Sequence, residues 1–340
     1  MKINMSKKIL TIVIPSYNTE KFIDKNIPTF LQDSILDDIE ILIINDGSTD
    51  HTVEIAKKYE EKYPDTVHIV NKKNGGHGSV INKGIEIATG TYYKVVDGDD
   101  WVDTNNLCRF VTDLKQQDAD LVINPYYFVY DGSGRRKLVK FWAPIYGISV
   151  LFDDICTNYQ KLPIHSITYK THILRNNGIK VREKCFYEDN EYDLLPIPFV
   201  NTIAIYDYPI YEYLIAQQNQ SVSDKNALKN HHMFYDVIQD CIIEFEKYKK
   251  SLSYNKQIYM LRTIVELIRS QYNIYLRNGF TDGTYEKMVK FNQDLKERYS
   301  FYFYSVAERY SYIKRIQNGK RVLFKAFALI LGIYKKITVR

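Results

Sequence analysis

The chain has 340 residues, of which 45% are apolar and 26% are charged, and its formal net charge is +5. These fractions are typical of a soluble globular protein and argue against collagen-like, disordered and polytopic membrane classes. The positive charge is uneven, because residues 301–340 contain nine Lys or Arg and one acid, Glu308, which leaves the preceding part of the chain mildly acidic.

Residues 8–124 alternate short apolar runs with amphipathic stretches of helical spacing. The runs that we interpret as strands are Ile9–Ile14, Ile39–Ile44, Val67–Val70, Tyr92–Val96 and Leu121–Ile123. The stretches that we interpret as helices are Phe22–Leu31, Thr52–Tyr63, Ser79–Ala88 and Thr104–Gln117. This alternation predicts βαβ units and a parallel sheet. Ser48, with Thr49 and Asp50, is expected to cap the second helix, and Asp103 the fourth.

Beyond residue 124 the pattern becomes less regular. Five prolines within residues 141–220 indicate loops and short strands. From about residue 224, apolar side chains recur at helical spacing and predict several helices.

The cysteines and the apolar segments bear on the cellular compartment. The four cysteines are widely spaced and form no Cys-x-x-Cys pair, so we expect small buried side chains in a reducing compartment. The run Ile9–Ile14 is too short for a signal peptide, and Val322–Tyr334 is too short to span a bilayer. We therefore expect a cytoplasmic protein.

Polar, acidic or glycine-rich clusters follow four consecutive predicted strands. They are Pro15–Asn18, Asn45–Asp50, Asn74–Gly78 and Asp97–Asp100. Because ligands bind beyond the carboxyl ends of parallel strands, we expect all four at one edge of the sheet. Asp97 and Asp99 stand one residue apart, so both carboxylates can reach one divalent cation, and such ligands suit Mg²⁺ or Mn²⁺. The alternative is a solvated acidic turn.

Asp46 and the glycines at 75–78 are candidate ligand contacts, and Asp46 has two interpretations. Asp46 can accept hydrogen bonds from a nucleobase, or it can close an Asx turn beside Gly47. Gly75 and Gly76 let the backbone approach a ligand closely. The cluster is not Gly-x-Gly-x-x-Gly and lacks the acid expected downstream, which argues against a dinucleotide-binding fold.

With these clusters, the chain through about residue 130 resembles an inverting family 2 glycosyltransferase with the GT-A fold. The motifs that carry the resemblance are Ile14–Asn18, Asn45–Asp50, Asn74–Gly76, Asn82–Gly84, Ala88–Gly90 and Asp97–Asp100. The resemblance implies an α/β fold with a Rossmann-like, mostly parallel central sheet flanked by helices. It also implies a UDP-sugar donor and a divalent metal, Mn²⁺ or Mg²⁺.

The resemblance assigns roles to particular residues. Those implied to contact the donor are Pro15, Tyr17, Asn18, Asp46, Gly75, Gly76, Asn82, Lys83, Asp97 and Gly98. Asp97 and Asp99 would serve the metal and the diphosphate. The family often has Arg-Asn where this chain has Ile81-Asn82, so a cationic contact is missing. Lys83 or Lys94 could replace it, or both could be solvated surface lysines.

Inverting transfer needs a carboxylate that takes the proton of the acceptor hydroxyl. The family places this base in a Glu-Asp pair, which here matches Glu188-Asp189. We predict Asp189 as the base and Glu188 as the alternative; an acid-rich helix N-terminus is the structural alternative. His165 could line the acceptor cleft, and we expect a structural, hydrogen-bonded histidine there rather than a metal ligand. Residues 220–223 resemble a segment that closes over the donor.

We predict a catalytic domain at 1–223, with a nucleotide-sugar half at 1–124 and an acceptor half at 125–223, followed by a helical region at 224–340. The expected reaction moves a hexose or N-acetylhexosamine to a hydroxyl of a glycan, glycoprotein or lipid-linked acceptor of the bacterial cell surface. It is expected to be non-processive, because the Gln-x-x-Arg-Trp motif and the membrane spans of processive synthases are missing.

Three further expectations concern partners and rival functions. The basic aromatic tail at 301–340 could lie on an anionic membrane or pack within a homo-oligomer, and no motif indicates nucleic-acid binding. A sugar nucleotidyltransferase should carry a glycine-rich, Arg-containing loop after the first strand, which Pro15–Asn18 is not. A non-catalytic nucleotide- or glycan-binding scaffold would bind UDP without turning over a donor.

Overall fold

The computed structural model describes residues 8–130, 132, 134–215 and 224–338. It contains two compact units: Met1–Gln218 with Tyr248–Gln257, and Asn219–Lys247 with Ile258–Arg340. The first unit thus takes in residues 248–257, which the sequence-based division assigns to the C-terminal region. The division at residue 223 and the separation into donor and acceptor halves stay predictions.

The described residues form twelve strands in two sheets. The strands are β1 Leu10–Ser16, β2 Ile39–Asn45, β3 Val67–Asn71, β4 Tyr92–Val95, β5 Trp101–Val102, β6 Leu121–Ile123, β7 Tyr126–Tyr130, β8 Arg136–Val139, β9 Val150–Leu151, β10 Ile167–Lys170, β11 Thr202–Ile205 and β12 Tyr211–Ile215. The larger sheet has the order β3-β2-β1-β4-β10-β6-β11-β9, and the smaller has the order β5-β12-β7-β8. In the larger sheet, β10 and β9 run antiparallel to their neighbours and the other strands run parallel.

The helices of the described residues fall into two sets. Those before residue 218 are α1 Ile23–Asn26, α2 Thr52–Lys62, α3 His77–Ile87, α4 Thr104–Leu114, α5 Phe152–Cys156, α6 Thr171–Asn176 and α7 Asp189–Leu194. Those after it are α8 Asp224–Lys229, α9 His231–Tyr248, α10 Tyr254–Arg277, α11 Thr284–Arg298, α12 Ser300–Arg309, α13 Ser311–Asn318 and α14 Arg321–Thr338. Short 3₁₀ turns lie at Ile27–Phe30, Ile164–Ser166, Ile197–Phe199 and Lys249–Ser251.

Most predicted elements form within two residues of their expected bounds, and the exceptions have local causes. The single helix expected over Phe22–Leu31 is instead α1 followed by a 3₁₀ turn, because Pro28 has no N–H to continue the α-helical pattern. Asp103 caps α4 as expected, since its Oδ1 accepts from Asn106 N–H at 2.9 Å. Before α2, Asp50 rather than Ser48 supplies the side-chain bond, accepting from Thr52 N–H at 3.0 Å.

Every residue of β1 and β2 is buried, as expected for parallel strands covered by helices on both faces. One buried polar contact links these strands to the turn before β4. Thr11 Oγ1 donates to Glu40 Oε2 at 2.6 Å, and the same oxygen accepts from Thr89 N–H at 2.9 Å. Gly90 N–H donates to Thr11 Oγ1 at 2.9 Å. The buried Glu40 carboxylate is therefore satisfied, and it holds β1, β2 and the β4 turn in register.

The second unit is helical, as predicted. Its core includes the ring of Phe291, which lies 5.0–5.7 Å from the rings of Tyr235, Tyr272 and Tyr275. Several of the abundant tyrosines thus serve as core side chains. Within the described part of the chain, no helix has both the length and the apolar character that crossing a bilayer requires. Three of the four cysteines are buried as expected, whereas Cys108 is half-buried.

Gly84 lets α3 lie close to the sheet. A Cβ at this position would sit 2.5 Å from the Tyr93 hydroxyl oxygen and 2.7 Å from a Val13 methyl carbon. Helix propensity alone favours alanine by about 1 kcal/mol, but overpacking a close contact costs about 1–3 kcal/mol. We therefore expect Gly84→Ala to lower the melting temperature by several degrees, measured by differential scanning calorimetry.

The matched control is Lys83→Ala, the preceding residue on the same helix, whose amino group pairs with Glu86 in the next turn. It should leave the melting temperature nearly unchanged, because exposed substitutions usually change stability by less than about 0.5 kcal/mol. A Gly84→Ala protein as stable as Lys83→Ala would contradict the close packing of α3.

Candidate active site

The loops after β1, β2 and β4 are held together at one edge of the larger sheet. Asn18 N–H donates to Ser48 Oγ at 3.0 Å, and Thr49 N–H donates to Asn18 Oδ1 at 2.9 Å. Gly98 N–H donates to the Pro15 carbonyl oxygen at 3.2 Å. The clusters predicted after these strands therefore meet, as the parallel arrangement of the strands requires.

Tyr17 and Asn18 form the turn that projects from this edge. Asn18 has a φ of +54°, in the left-handed region that Asn tolerates better than most residues. Tyr17 is 52% exposed, so a ligand can reach its ring. Gly98 packs against this turn, and a Cβ there would sit 2.7 Å from the Pro15 carbonyl oxygen.

The buried carboxylate of Asp46 anchors the glycine-rich loop before α3. Its Oδ1 accepts from Lys72 Nζ at 2.5 Å and from Gly75 N–H at 2.9 Å, and its Oδ2 accepts from Gly76 N–H at 2.8 Å. Gly76 has a φ of +82°, which favours glycine. The structure thus gives Asp46 a positioning role within the chain, and its contact with a nucleobase stays a prediction. The Asx-type bond considered for Asp46 is made instead by its neighbour Asn45.

His77, the first residue of α3, joins two acidic groups from distant parts of the chain. Its Nε2 lies 2.9 Å from Asp97 Oδ1, and its Nδ1 lies 2.7 Å from Glu188 Oε1. Because both partners are carboxylates, both ring nitrogens serve as donors, which is the imidazolium form. Burial opposes this charge, but the Asp97 and Glu188 carboxylates raise the pKa of His77 well above its usual value.

The sequence-based site does not include His77. Its only local signal is its place in the Asn74–Gly78 cluster at a helix start. Its partner Glu188 lies 111 residues further along the chain, and no local pattern reports a contact of that range. The neighbouring Gly78 makes the approach possible, since a Cβ there would overlap the Arg182 carbonyl oxygen.

The acidic cluster after β4 concentrates negative charge. Burial and the neighbouring charge of Asp97 raise the pKa of Asp99 to about 6. Asp100 is buried, and burial together with Asp97 and Asp99 raises its pKa well above the usual range. Burial also opposes ionisation of Asp97, but His77 lowers the pKa of that carboxyl. The cluster therefore favours a positive charge at its centre.

Asp100 ties this cluster to β12. Its Oδ2 accepts from the Tyr211 hydroxyl at 2.6 Å, and its Oδ1 accepts from Leu214 N–H at 2.7 Å. Asn26 Nδ2 donates to the carbonyl oxygens of Asp97 and Asp100, which fixes the turn between them. Asp100 is thus committed to holding the smaller sheet against the site.

His165 lies beside the cluster and differs from its predicted role. Its Nδ1 is buried and has no hydrogen-bond partner among the described residues, whereas a hydrogen-bonded histidine was expected. Burial lowers its pKa to about 4, so the ring is neutral. It stacks on the rings of Tyr213 and Tyr126, with centroids 4.2 and 5.5 Å away.

One ligand atom each from Asp97, Asp100 and His165 lies within 4.8 Å of the other two. A carboxylate beside an unpartnered neutral imidazole nitrogen fits a divalent cation. Asp99, the second predicted metal ligand, is outside this group, although the charge of Asp97 acts on its carboxyl. The set of side chains therefore suits a metal, with Asp97 common to the predicted pair and to the observed group.

Lys94 is not the solvated lysine that was one of its two interpretations. It is fully buried within β4, where its Nζ donates to the His165 carbonyl oxygen at 3.1 Å and to that of Ile167 at 3.2 Å. Burial lowers its pKa to about 7. Its amino group is thus used in holding the segment that carries His165.

Asn82 and Lys83, further along α3, make contacts away from the acidic cluster. Asn82 Nδ2 donates to the Val181 carbonyl oxygen at 2.8 Å, and its Oδ1 accepts from Val181 N–H at 2.9 Å. Lys83 pairs with Glu86 at 2.9 Å. Asn82 thus docks the segment that leads to Glu188, and neither hydrogen-bonding pattern extends to the acidic cluster.

The segment with the predicted base is held against the glycine-rich loop. Lys184 N–H donates to the Gly75 carbonyl oxygen at 2.7 Å. Lys184 and Tyr187 have φ values of +51° and +77°, a backbone form that costs energy in residues other than glycine and that clusters at functional sites. Asp189 is half-buried at the start of α7, whereas Glu188 is buried and bound to His77. Residues 220–223 lie outside the described residues.

Comparisons with known proteins agree with this architecture. The profile of glycosyl transferase family 2 matches residues 11–181. The glycosyltransferase EpsJ of Bacillus subtilis is 37% identical over 131 residues, which are 38% of this chain and 37% of that protein. The poly(ribitol-phosphate) beta-glucosyltransferase of Bacillus spizizenii is 27% identical over 235 residues, which are 68% of this chain and 36% of that protein. The chain therefore spans little more than a third of the length of these relatives.

A solved structure extends the likeness beyond the matched region. The crystal structure of Staphylococcus aureus TarS 1-349 in complex with UDP-GlcNAc aligns with a TM-score of 0.66 and 16% identity, over 94% of this chain and 90% of that one. At this identity the likeness shows the fold, and it confirms the α/β GT-A prediction with a helical C-terminal region. Since the family profile covers half of the chain and the strand-end motifs meet at one edge, the chain belongs to glycosyl transferase family 2.

Proposed function

We propose that the protein is a non-processive inverting glycosyltransferase that moves a hexose or N-acetylhexosamine from a UDP-sugar to a hydroxyl of a glycan, glycoprotein or lipid-linked acceptor. The observation that carries this proposal is the His77 bridge, which places the acidic cluster after β4 beside the Glu188-Asp189 pair. Support for a UDP-sugar comes from TarS, whose structure holds UDP-GlcNAc. The name of the Bacillus spizizenii relative supports a cell-surface glycan acceptor.

The donor would bind at the edge formed by the loops after β1 and β2. The exposed Tyr17 ring can stack on a base, and the Asn18 turn limits how the base sits. Asp46 holds Gly75 and Gly76, so the backbone of the loop before α3 is already fixed when a ligand arrives. A fixed loop loses little conformational entropy on binding, which favours affinity.

Asp97, Asp99 and His165 are the proposed holders of Mn²⁺ or Mg²⁺. Asp100 is left out because both of its oxygens accept hydrogen bonds from β12 residues. When bound, the cation would offset the charge that develops on the diphosphate leaving group. His165 offers a ring nitrogen within 4.8 Å of a carboxylate oxygen of Asp97. Burial and the charge of Asp97 raise the pKa of Asp99 to about 6, and a bound cation would lower it.

Asp189 is the proposed base. It is half-buried at the start of α7, and among the described residues its Oδ1 accepts from one uncharged partner, Asn190 Nδ2, at 2.8 Å. Glu188 is buried and already bound to His77, so it is less suited to accept a proton from an incoming hydroxyl. In a single displacement, the Asp189 carboxylate takes the acceptor proton as the hydroxyl oxygen attacks the anomeric carbon and the UDP leaves from the opposite face.

Two finer proposals concern where the enzyme works. We propose a cytoplasmic location, with acceptors that are assembled at the inner face of the membrane.

A non-catalytic UDP- or glycan-binding scaffold is the alternative function, and it differs by predicting UDP binding without turnover. The ordered arrangement of Asp97, His77, Glu188 and Asp189 favours the enzyme, because a scaffold has no need of a base.

The first test is a donor screen without acceptor. We expect slow release of UDP from at least one of UDP-glucose, UDP-galactose, UDP-GlcNAc and UDP-GalNAc in the presence of Mn²⁺, measured by a coupled UDP assay. Asp189→Asn should reduce this turnover by about 100-fold or more, because it removes the base, while UDP affinity stays the same in calorimetry. UDP binding with no turnover of any donor would favour the scaffold, and full turnover by Asp189→Asn would remove Asp189 from the mechanism.

The second test concerns the metal. We expect Asp99→Ala to weaken Mn²⁺-dependent UDP binding by about tenfold or more, because a carboxylate that faces the cation is lost. The measurement is isothermal titration of UDP with and without Mn²⁺. Asp65→Ala is the control, since Asp65 is an exposed acid before β3, at the opposite edge of the sheet. Equal Mn²⁺-dependent binding by the Asp99 and Asp65 variants would remove Asp99 from the metal site.

The third test concerns His77 as a positioning residue. We expect His77→Ala to lower kcat by about tenfold with little change in KM for the donor, because the buried Glu188 carboxylate loses its partner, a cost of about 1–3 kcal/mol. Steady-state kinetics on the donor found above provides both constants. Glu86→Ala on the same helix, at an exposed position, should leave both unchanged. A His77→Ala enzyme with the kcat of Glu86→Ala would show that the bridge has no part in turnover.

A further inference from the structure

Helix α14 is seated in the second unit by one of its faces. Phe324 and Ala328, one turn apart, are buried. The ring of Tyr285 lies 5.5 Å from that of Phe324. Gly279 allows the close approach, since a Cβ there would overlap Ala328 Cβ. This face fixes the helix on the unit, as expected for an amphipathic helix that covers a core.

A different face of the same helix is apolar and exposed. Val322, Ala326, Leu329 and Ile330 follow the i, i+4, i+7, i+8 spacing that places side chains on one side of a helix. Val322 is 80% exposed, Leu329 55% and Ile330 61%. We call these four residues the outer face of α14. So many large apolar side chains in one place on a surface mark an interaction site.

The sequence segment that carries the outer face is strongly basic. Residues 309–340 contain nine Lys or Arg and no Asp or Glu. Lys325 is exposed on α14 and lies next to the outer face in helical register. Arg321 lies further round the helix, with its Nη1 3.5 Å from Glu286 Oε1. An apolar face bordered by basic side chains is typical of helices that lie in the interface of a bilayer with anionic lipids.

A second copy of the chain fits this surface less well. Two outer faces that meet would bring two strongly basic segments together, with no acid within residues 309–340 to offset the repulsion. Anionic headgroups supply the opposite charge, and the acyl region accepts the apolar side chains. α14 lies on its own unit through Phe324 and Ala328, so it meets the bilayer from the side and does not cross it.

We propose that the outer face of α14 docks on the surface of an anionic lipid bilayer. Val322, Leu329 and Ile330 enter the boundary between headgroups and acyl chains, and Lys325 contacts lipid phosphates. This surface belongs to the second unit and includes none of the residues assigned to the glycosyltransferase site, so the proposal does not depend on which sugar or acceptor the enzyme uses.

The test is cosedimentation of the full-length protein with vesicles. We expect binding to vesicles of phosphatidylglycerol and phosphatidylcholine, weak or no binding to phosphatidylcholine alone, and loss of binding as salt rises to about 0.5 M, where the Debye length is about 4 Å. The double variant Val322→Glu/Leu329→Glu should bind the anionic vesicles at least tenfold more weakly. Leu151→Glu is the matched control, because Leu151 is 58% exposed in the first unit, and it should bind like the unaltered protein.

Thermal melting of each variant shows that it is folded, and Lys325→Glu provides a second, milder variant with an expected severalfold loss of binding. The proposal is overturned if the unaltered protein fails to bind anionic vesicles, or if the outer-face double variant binds them as well as Leu151→Glu does. It is also overturned if sedimentation velocity shows that the double variant turns an oligomer into a monomer while vesicle binding is unchanged. Donor turnover is measured on the same proteins, so that a failure of membrane binding is distinguished from a failure of the proposed glycosyltransferase activity.

Discussion

Repulsion among carboxylates is the constraint around which this site is arranged. Asp97, Asp99 and Asp100 stand within four consecutive residues, and Glu188 is brought to them from 111 residues beyond His77. In a partly buried space such a group is stable only when each charge has a partner or stays protonated. His77 offsets two of the carboxylates, and Tyr211 with a backbone N–H of β12 takes up a third. The residues proposed to serve the donor, the metal and the acceptor proton can therefore lie at one edge of the sheet, because their charges are offset by shared partners.

Much of the first half of the fold could be predicted because its signals are local. β1, β2 and the helices between them show their period within ten residues, and polar clusters after strands must share an edge once the strands are parallel. The His77 bridge could not be predicted this way, because His77 and Glu188 are 111 residues apart and their contact depends on the tertiary structure of two loops. The burial of Lys94 could not be predicted from the local sequence pattern either, because the pattern of a strand does not reveal that both of its faces are covered. His165 became notable only through the absence of a partner for its Nδ1 in the described fold.

The C-terminal helices show a different limit of periodicity. An apolar stripe at helical spacing reports that a side is apolar, and it does not say what covers it. In α14 two such stripes share one helix: Phe324 and Ala328 pack inside, and Val322 and Leu329 face outward. Packing and membrane contact, which the sequence left as alternatives for this region, are compatible because they use different faces. Folding of the second unit therefore leaves the outer face of α14 exposed.

The hydrogen bond from Lys184 N–H to the Gly75 carbonyl oxygen has a mechanical consequence. Asp46 accepts hydrogen bonds from Gly75 N–H and Gly76 N–H. The segment that ends at Asp189 is bound to the same loop through Lys184 N–H and through the contact of Glu188 with His77. Hydrogen bonds thus link loops from three separate stretches of the chain, so these loops are not free to move independently. A displacement of the glycine-rich loop therefore moves the segment from Lys184 to Asp189 with it, unless these hydrogen bonds break.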